Sequence, residues 1–575
     1  MGDTTEVFKT FRGLVDSADR KFARVRDVPS YGHGHNHYFH KVFKAYTRLW
    51  KFQQENRLKL VESGLQRWEI GEIASRIGQL YYGQYLRTSE ARFLLESYIF
   101  YEAILNRGYF EGPKGVAKNL NLRYKELRFY ARFLIVSLLL NRSEMVQILV
   151  ERFKALVDDS KASFRENNIK EWKQVVQEIV QFLKADLAFT NARTLRYCAL
   201  FDSHPTSLPY VARFHARRVL KLKDALLMSY HRNEVKFTEL TLDAFRMLQC
   251  LEWEPSGSFY QKRPVESASN GVSDQSGPSG LIDINIAMDM TDPTLPPNPK
   301  KTILYRASAP HLVSVLATLC EELLPESVLL VYLSASGKAG QSPQMESLKA
   351  SRIPSNMKGD SSVYFGNSLW LGPRGSGGSN HFYPGDIIPF TRIPLFLIID
   401  SDNSHAFKVV HGAERGETTA LLLSPTKTVF RSSTGADLTQ NGSQFTFFLT
   451  SPLQAFCQLF GLSPSDTAPG MYNKAENILA TAFSEWEVIL CKSTSLDLVW
   501  AQVLSDPFLR RLILRFIFCR SVLSLFCPPG DNEQYLPECL PHLPDSVSSS
   551  SEAVQSIVLH LAHTLGVECF QSKHT

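Results

Sequence analysis

Residues 395–404 have the sequence LFLIIDSDNS, in which five consecutive apolar residues run into a turn of aspartate, asparagine and serine. A short and uniformly apolar run is typical of a strand that is buried on both faces of a parallel sheet. The stretch therefore predicts a buried strand whose carboxyl end carries polar side chains.

Further strand and helix patterns alternate around this stretch. Continuous apolar runs suited to strands lie at 302–305, 328–333, 420–423 and 445–449. Amphipathic helix patterns lie between and after them, at 311–324, 453–462, 473–492 and 496–526. Apolar strands that alternate with helices are typical of an α/β fold with a largely parallel sheet. We therefore predict a Rossmann-like α/β domain with additional helices.

The first 250 residues show a different pattern. From residue 42 to residue 247, apolar residues recur at helical spacing, with few prolines and without sustained alternation. Ile73, Ile77 and Leu80, for example, follow i, i+4, i+7 spacing. We therefore predict that this half of the chain is all-helical.

Helix pairs are visible within this half. Segments 70–85 and 91–106 form one pair, with Ser89 as the expected cap of the second helix, and segments 127–140 and 144–156 form another. Such pairs predict a TPR-like (tetratricopeptide-like) array of helical hairpins. A generic helical array is the alternative, because the full repeat signature is absent.

Changes in composition mark the domain boundaries. Residues 253–300 are rich in proline, glycine and serine and are expected to form a flexible linker. We therefore predict a helical domain at 1–252 and an α/β domain at 301–530. Within the second domain, residues at about 336–386 far exceed the usual length of a connection between a strand and the next element. We therefore expect them to form a loop insertion. Residues 531–575 are a tail able to form one last helix.

The net charge of +6 conceals an asymmetry along the chain. Residues 1–250 hold 41 Lys+Arg and 27 Asp+Glu, a net charge of +14, which leaves 22 and 30, or −8, for residues 251–575. A basic surface attracts phosphate backbones or acidic partners, so the N-terminal half is the expected place for such partners. Basic residues spread over solvated helix faces are the alternative.

The cysteines and the hydropathy pattern indicate a protein of the cell interior. The nine cysteines are sparse, odd in number and never in a C-x-x-C pair, which indicates reduced thiols. The first residues, MGDTTEVFKTFRG, lack the apolar core of a secretory signal. The apolar stretches at 133–140 and 512–526 are too short or too charged to cross a bilayer, so we expect buried helices there.

The sharpest candidate for chemistry is the polar turn that follows residues 395–399. Asp400, Asp402 and Ser404 lie where ligands of open α/β sheets gather, outside the carboxyl ends of the strands. Oxygen ligands at this spacing could hold Mg²⁺. The spacing is similar to the Asp-x-Asp of haloacid-dehalogenase phosphatases and the Asp-x-Ser-x-Ser of von Willebrand A modules, although the motif does not follow the first strand and Asp402 replaces a serine. A turn whose side chains bind their own backbone is the alternative.

A histidine cluster in the sequence YGHGHNHYFH is a second candidate. His33, His35, His37 and His40 lie close together in the chain, and imidazoles at this spacing could bind Zn²⁺ or Ni²⁺. A polar loop that leads into a helix at Lys41 is the alternative, because a structural zinc site requires four ligands at defined spacing.

Other catalytic signatures are absent from the sequence. No P-loop, G-x-S-x-G, H-E-x-x-H or complete G-x-G-x-x-G motif occurs. We therefore predict a protein that is not an enzyme, with no catalytic residue, no cofactor and no resident metal. The alternative is a Mg-dependent phosphatase-like or metal-dependent ligand-binding α/β module centred on Asp400.

A basic stretch after Pro209 is the leading candidate for partner or nucleic-acid binding. Arg213, Arg217 and Lys221 fall at i, i+4 and i+8 on one face of a predicted helix, with Arg218 beside them. Guanidinium groups in such a row can neutralise phosphates or carboxylates.

A second basic stretch, at residues 121–133, alternates arginines with aromatic residues. Arg123, Arg128 and Arg132 lie among tyrosine and phenylalanine, a combination that suits single-stranded nucleic acid because bases stack on rings. An amphipathic helix that buries its rings and extends its arginine heads into solvent is the alternative.

Several blocks of the sequence closely resemble the SCAI family, which is named for suppressor of cancer cell invasion. The blocks occur in the family's order between about residues 41 and 527: TRLWKFQQENR (47–57), RWEIGEIASRIGQLYY (67–82), YLRTSE (85–90), RFYARFLIVSLLLN (128–141), KFTELTLDAFRMLQ (236–249), SVLLVYLSA (327–335), YPGDIIPFTRIPLFLIIDSDNS (383–404) and LRRLILRFIFC (509–519).

The resemblance implies a non-enzymatic nuclear adaptor. Members of the family are described as transcriptional corepressors that act through a myocardin-related coactivator of serum response factor. They are also described as acting in DNA double-strand break and crosslink repair through protein partners. The resemblance therefore implies nuclear protein partners and a location in the nucleus, with the cytoplasm as a second compartment, and it transfers no catalytic residue. DNA, single-stranded or double-stranded, is the expected partner of the basic half.

Overall fold

A computed structural model describes most of the chain, and its contacts divide it into two compact units. The described residues are 2–26, 28–29, 31–32, 36–111, 119–164, 168–186, 195–198, 202, 220–231, 234–254, 284, 297–337, 367–374, 380–414, 418–427, 441–462, 469–525 and 533–567. The helical unit comprises Met1–Val176 and Glu254–Lys300, and the sheet unit comprises Gln177–Trp253 and Lys301–Thr575. Most of the predicted linker, at 255–283 and 285–296, lies outside the described residues.

The helical unit is built from antiparallel helix pairs. Its helices are α1 (Gly2–Arg26), α2 (Asn36–Glu55), α3 (Arg57–Glu62), α4 (Arg67–Thr88), α5 (Ala91–Arg107), α6 (Leu120–Leu139) and α7 (Ser143–Ser163), and α8 (Asn168–Asp186) follows. The Tyr46 hydroxyl of α2 donates to Asp19 of α1 at 3.0 Å, and Ser63 Oγ donates to the Thr4 carbonyl at 3.3 Å. These two contacts fix α1 antiparallel to the chain that runs through α2 and α3.

The α4–α5 pair owes its close packing to Gly78. A Cβ atom at this position would lie 2.9 Å from the Tyr101 ring, and Ser97 Oγ donates to the Gly78 carbonyl at 2.8 Å. The predicted helices at 70–85 and 91–106 are confirmed. The prediction that Ser89 caps the second helix is wrong: Ser89 ends α4 with a left-handed backbone (φ 56°), and Glu90 occupies the N-cap of α5.

Ten strands form the β-structure of the described sheet unit, six of them in one sheet. The strands are β1 (Lys221–Tyr230), β2 (Lys236–Phe237), β3 (Leu240–Thr241), β4 (Lys300–Tyr305), β5 (Ser327–Ala335), β6 (Leu369–Trp370), β7 (His381–Phe382), β8 (Leu395–Asp400), β9 (Thr419–Leu423) and β10 (Glu538–Leu540). The sheet order is β10-β9-β8-β5-β1-β4, with β1, β5, β8 and β9 parallel and β10 antiparallel to β9. The central strands β5 and β8 are buried along their whole length, as their uniformly apolar sequences predict.

Helices accompany this sheet. They are α9 (Leu242–Cys250), α10 (Ala309–Glu321), α11 (Pro384–Ile387), α12 (Gln444–Thr450), α13 (Pro452–Leu459), α14 (Pro469–Lys492), α15 (Leu498–Val503), α16 (Pro507–Ser524) and α17 (Glu552–Thr564). α16 contains Arg515, whose guanidinium donates to the carbonyls of Leu449 and Thr450 at 2.9 and 2.7 Å. This arginine therefore satisfies the carboxyl end of α12, which explains a charge inside an apolar helix. Among the described helices none is long and apolar enough to cross a membrane.

The combination of an α-helical part with an α/β part is confirmed, but the prediction of an all-helical first half and one predicted strand are wrong. Residues 221–230 were expected in a helix and instead form β1, which lies between β5 and β4, and the short strands β2 and β3 also belong to this half. Residues 445–449 were expected as a strand and instead form part of α12, whose N-cap Ser443 accepts a hydrogen bond from Thr446 N. A short apolar run has the same appearance in a buried strand and a buried helix, so periodicity does not distinguish them.

Candidate functional site

The candidate site lies at the carboxyl ends of the parallel strands. The strand order reverses between β1 and β5, because β4 lies on the far side of β1. Ligands of open α/β sheets bind at such a reversal, outside the carboxyl ends of the strands. Asp400 is the last residue of β8 and pairs in register with Ser334 of β5, so it lies at the predicted edge.

Asp400 is buried and satisfied by neighbouring side chains. Thr446 Oγ1 donates to its Oδ2 atom at 2.6 Å, and the Thr446 oxygen lies 2.7 Å from the hydroxyl of Tyr332. Because the threonine hydroxyl has one proton and gives it to the carboxylate, the tyrosine must be the donor to Thr446. Burial, and next the charge of Asp243, raise the pKa of Asp400 above its ordinary value.

Asp243 of α9 is a second buried carboxylate beside this cluster. Its two oxygens accept from Ser443 N at 3.0 and 3.1 Å, and Oδ1 lies 3.9 Å from the guanidinium of Arg246. Arg246 in turn donates to the Asn441 carbonyl at 2.9 Å and lies 4.0 Å from the ring centroid of Phe447. The cluster therefore fastens the start of α12 to α9 and β8.

The three residues considered as candidate metal ligands do not converge. Asp402 is exposed, and its Oδ1 accepts from Gly337 N at 2.6 Å. Ser404 Oγ donates to the Ser424 carbonyl at 2.6 Å, whereas Asp400 binds Thr446. No group of three or more histidine, cysteine, aspartate or glutamate side chains among the described residues is placed to hold a metal ion. The geometry does not favour a metal site, and it also differs from the alternative of a turn that binds its own backbone, because Asp400, Asp402 and Ser404 each bind a residue distant in the chain.

The hairpin of β6 and β7 packs over the reversal point. The ring centroid of Trp370 lies 5.4 Å from that of Tyr230, the last residue of β1, and the Trp370 backbone N–H donates to the Ser336 carbonyl at 2.8 Å. Gly372 (φ +96°) lies against the same tyrosine, so close that a Cβ would be 2.7 Å from the ring. Asn403 Nδ2 donates to the Ser368 carbonyl at 3.1 Å. The described part of the hairpin therefore packs against the carboxyl ends of β1 and β5, the edge at which a sheet of this order binds its ligands.

The predicted basic face is placed only in part. Lys221 is exposed at the start of β1, and its backbone N–H donates to the Glu326 carbonyl at 3.0 Å. Its placement on a helix with the arginines was wrong, because residues 221–230 lie between two strands of the sheet. Arg213, Arg217 and Arg218 lie outside the described residues.

The second basic stretch belongs to the core of the helical unit. Arg123 is buried and pairs with Glu126 and Asp159, at 2.8 Å in each case. Phe129 and Tyr130 are buried in ring contact with each other. The rings of Phe129 and Tyr130 are therefore not available for base stacking, whereas Tyr124 is half-buried and Arg128 is exposed, as on an amphipathic helix.

The histidine cluster is described only in its second half. His33 and His35 lie outside the described residues, and His37 and His40 are exposed on α2. The His37 ring packs on Tyr38 with centroids 3.9 Å apart.

Sequence reasoning missed the partners of Asp400. Thr446 and Ser443 were placed on and before a predicted strand, and Asp243 lies 157 positions before Asp400 in the chain. The available signal was Ser443 directly ahead of an apolar run, because serine is a preferred N-cap residue.

The architecture defines a protein with a helical unit and an α/β unit, in which the candidate residues Asp400, Asp402 and Ser404 bind other residues of the chain. The family model described as Protein SCAI matches residues 13–529, and the chain belongs to this family. Protein SCAI of Homo sapiens and of Mus musculus are each 36% identical over 562 residues, covering 96% of this chain and 88% of the relative. The Protein SCAI homolog of Dictyostelium discoideum is 28% identical over 703 residues, covering 96% and 89%. No solved structure matches.

Proposed function

We propose that this chain is a non-enzymatic nuclear adaptor that acts as a transcriptional corepressor and in DNA double-strand break and crosslink repair. Membership of the SCAI family supports the proposal, since the resemblance implies both roles. The observation that carries the non-enzymatic part is the packing of Tyr230, Trp370 and Gly372 over the reversal point of the sheet. Because the chain packs its own residues at the edge of the sheet where a substrate would bind, we propose that it contacts partners through its surface instead.

The adaptor role is tested by crosslinking mass spectrometry of the full chain in nuclear extract. We expect crosslinks to transcription or repair proteins, with the contacted lysines identified in the same spectra. Fractionation of the expressing cells reports the location, which we propose to be the nucleus with a share in the cytoplasm. Recovery of the chain only from the cytoplasm, without crosslinks to nuclear proteins, would contradict the proposal.

We propose further that the basic stretch binds DNA through Arg213, Arg217, Arg218 and Lys221. The net charge of +14 over residues 1–250 supports a basic partner surface in that half, although the basic stretch itself belongs to the sheet unit, whose net charge is close to zero. The helical unit holds 33 Lys+Arg and 26 Asp+Glu, or +7, and the sheet unit holds 30 and 31, or −1. When phosphate contacts of this kind form, condensed cations are released from the DNA, and this release becomes less favourable as the salt concentration rises. Binding therefore weakens with salt.

The DNA proposal is tested with Arg213→Glu/Arg217→Glu and labelled single-stranded and double-stranded oligonucleotides. We expect weaker binding and a shallower dependence on salt, by about one unit of slope for each lost phosphate contact. A matched control reverses two lysines of α7, in Lys154→Glu/Lys161→Glu. Equal binding and an unchanged salt slope in both variants would contradict the assignment.

The competing function is a Mg-dependent phosphatase-like or metal-dependent ligand-binding module centred on Asp400. The divergence of Asp400, Asp402 and Ser404 does not favour it. Magnesium-dependent turnover of a generic phosphate ester that disappears in Asp400→Asn would overturn this choice.

We also infer that the sheet is Rossmann-like and that the helix pairs are TPR-like. The strands β1, β4, β5, β8 and β9, numbered one to five along the chain, lie in the order 2-1-3-4-5 of doubly wound sheets, which supports the first inference. The close approach of α4 and α5 at Gly78 supports the second.

A further inference from the structure

Helix α2 presents a continuous line of positive charge to solvent. Lys41, Lys44, Arg48 and Lys51 are all exposed and follow i, i+3, i+7 and i+10 spacing, which places them on one stripe of the helix. We call these four residues the cationic row. At 1.5 Å of rise per residue the row is about 15 Å long.

The cationic row is unfavourable for the helix that carries it. Like charges three or four positions apart repel, at about 0.2–0.5 kcal/mol for each pair, and the row contains three such pairs. The only carboxylate within α2 is Glu55, its last residue. Val42, Tyr46 and Leu49 are buried on the opposite face of α2. Packing of the core therefore explains the apolar residues of that face, but it does not explain why four cations line the exposed face.

Helix α3, which follows α2 after Asn56, exposes two apolar side chains. Leu58 is 80% exposed and Val61 is 52% exposed, and their i, i+3 spacing on α3 places them on one face. Leu60 between them is fully buried, so α3 has a conventional inner face as well. We call Leu58 and Val61 the apolar pair.

We propose that the cationic row and the apolar pair together dock an acidic amphipathic segment of a partner protein. The row complements carboxylates, and the apolar pair accepts the aliphatic side chains that an amphipathic segment carries at i, i+3 or i+4 spacing. This inference deepens the proposed adaptor function and rests on it.

A nucleic acid suits this surface less well. Single strands bind by stacking bases on exposed rings, and Tyr38, the aromatic residue next to the row, is 44% exposed but already contacts two residues of its own helix. His37 packs on its ring at 3.9 Å, and Lys41 Nζ lies 5.7 Å from the ring centroid. The apolar pair offers aliphatic surface and no ring. We therefore assign a peptide, and not DNA, to the cationic row and the apolar pair, and keep DNA as the ligand of the basic stretch after Pro209.

The test uses the full chain and a fluorescein-labelled synthetic peptide of about 20 residues, rich in glutamate with leucines at i, i+3 and i+7 spacing. A peptide of the same composition in scrambled order and a single-stranded oligonucleotide of about 20 nucleotides are the comparison probes. Fluorescence anisotropy gives the Kd of each. We expect the patterned peptide to bind more tightly than the scrambled peptide.

Two variants separate charge from apolar contact. Lys44→Glu/Arg48→Glu and Leu58→Ser/Val61→Ser are each expected to raise the Kd of the patterned peptide by about tenfold or more. The milder Lys44→Gln/Arg48→Gln keeps the test valid if the reversal unfolds the chain. Leu559→Ser, on the exposed face of α17, is the control and should leave the Kd unchanged.

Three outcomes would overturn the proposal. The first is an equal Kd for the patterned and the scrambled peptide. The second is a Kd of the patterned peptide that does not change in Leu58→Ser/Val61→Ser. The third is that Lys44→Glu/Arg48→Glu weakens binding of the oligonucleotide more than binding of the patterned peptide. Loss of oligonucleotide binding in Arg213→Glu/Arg217→Glu with peptide binding intact would leave the docking surface standing. The failure of one assignment is thus distinguishable from the failure of the other.

Discussion

Thr446 Oγ1 donates a hydrogen bond of 2.6 Å to Oδ2 of Asp400, and so joins the first turn of α12 to the end of β8. Both residues are buried, and a hydrogen bond in the protein interior is stronger than the same bond between exposed groups. Removal of the hydroxyl leaves the carboxylate without this donor and the Tyr332 hydroxyl without its acceptor.

We therefore expect Thr446→Val to lower the free energy of unfolding by about 1–3 kcal/mol. The measurement is chemical denaturation at neutral pH. Thr481→Val is the matched control, because the Thr481 hydroxyl donates to Asn477 within an exposed turn of α14. An equal loss of stability in the two variants would show that the bond to Asp400 has no special weight.

The pH dependence of stability should depend on Asp400. Its pKa is raised in the folded state by burial and by Asp243, so the folded chain binds this proton more tightly than the unfolded chain. The contribution is therefore present at low pH and is lost as pH rises from the ordinary carboxyl range through the raised pKa. Asp400→Asn does not titrate, and we expect its stability relative to the wild type to improve over that interval.

Denaturation at a series of pH values from about 4 to about 7 gives the comparison. Asp158→Asn, on the exposed surface of α7, is the control for a change of net charge. A difference between Asp400→Asn and wild type that stays constant with pH would contradict the assignment.

Two glycines of α4 should respond in opposite ways to alanine. At Gly78 the new Cβ would meet the Tyr101 ring at 2.9 Å, so we expect Gly78→Ala to destabilise the chain by about 1–3 kcal/mol. At Gly83 the nearest atom, Cε1 of Phe39, is 3.8 Å away, and the gain in helix propensity is up to about 1 kcal/mol. Thermal unfolding of both variants checks the sign of each change.

Gly372→Ala should loosen the hairpin that covers the reversal point. The residue has a φ of +96°, which favours glycine, and an added Cβ would lie 2.7 Å from the Tyr230 ring. We expect faster hydrogen exchange at residues 367–374 and 380–382. Gly385→Ala meets nothing within 4 Å and serves as the control. Unchanged exchange in Gly372→Ala would mean that this contact does not hold the hairpin in place.

The buried strands and the helix pairs were predictable, because apolar continuity and helical spacing are local properties of the sequence. β8 and β5 lie where their runs of five and six apolar residues predicted them. The assignments that failed depend on contacts distant in the chain. β1 is a strand because β5 lies beside it, about 105 residues later, and no local pattern carries that information.

The sequence predicted where the candidate site lies, but it did not predict which residues bind Asp400, Asp402 and Ser404. Asp400 lies at the strand end that its sequence indicated. Its partners come from β5 and α12, and their arrangement depends on the fold of the whole unit. The divergence of Asp402 and Ser404 likewise follows from the positions of Gly337 and Ser424, which the spacing of the motif does not contain.

The position of β1 has a practical consequence for dividing the chain into fragments. β1 precedes residues 254–299, whereas its neighbours β4 and β5 follow them. A fragment that starts at residue 301, where composition suggests a boundary, lacks the strand that covers one edge of β5, whose nine residues are all buried in the intact chain. Such a fragment would expose a hydrophobic strand edge and aggregate. Co-expression with a fragment that contains residues 221–250 should restore its solubility by supplying the missing strand in trans.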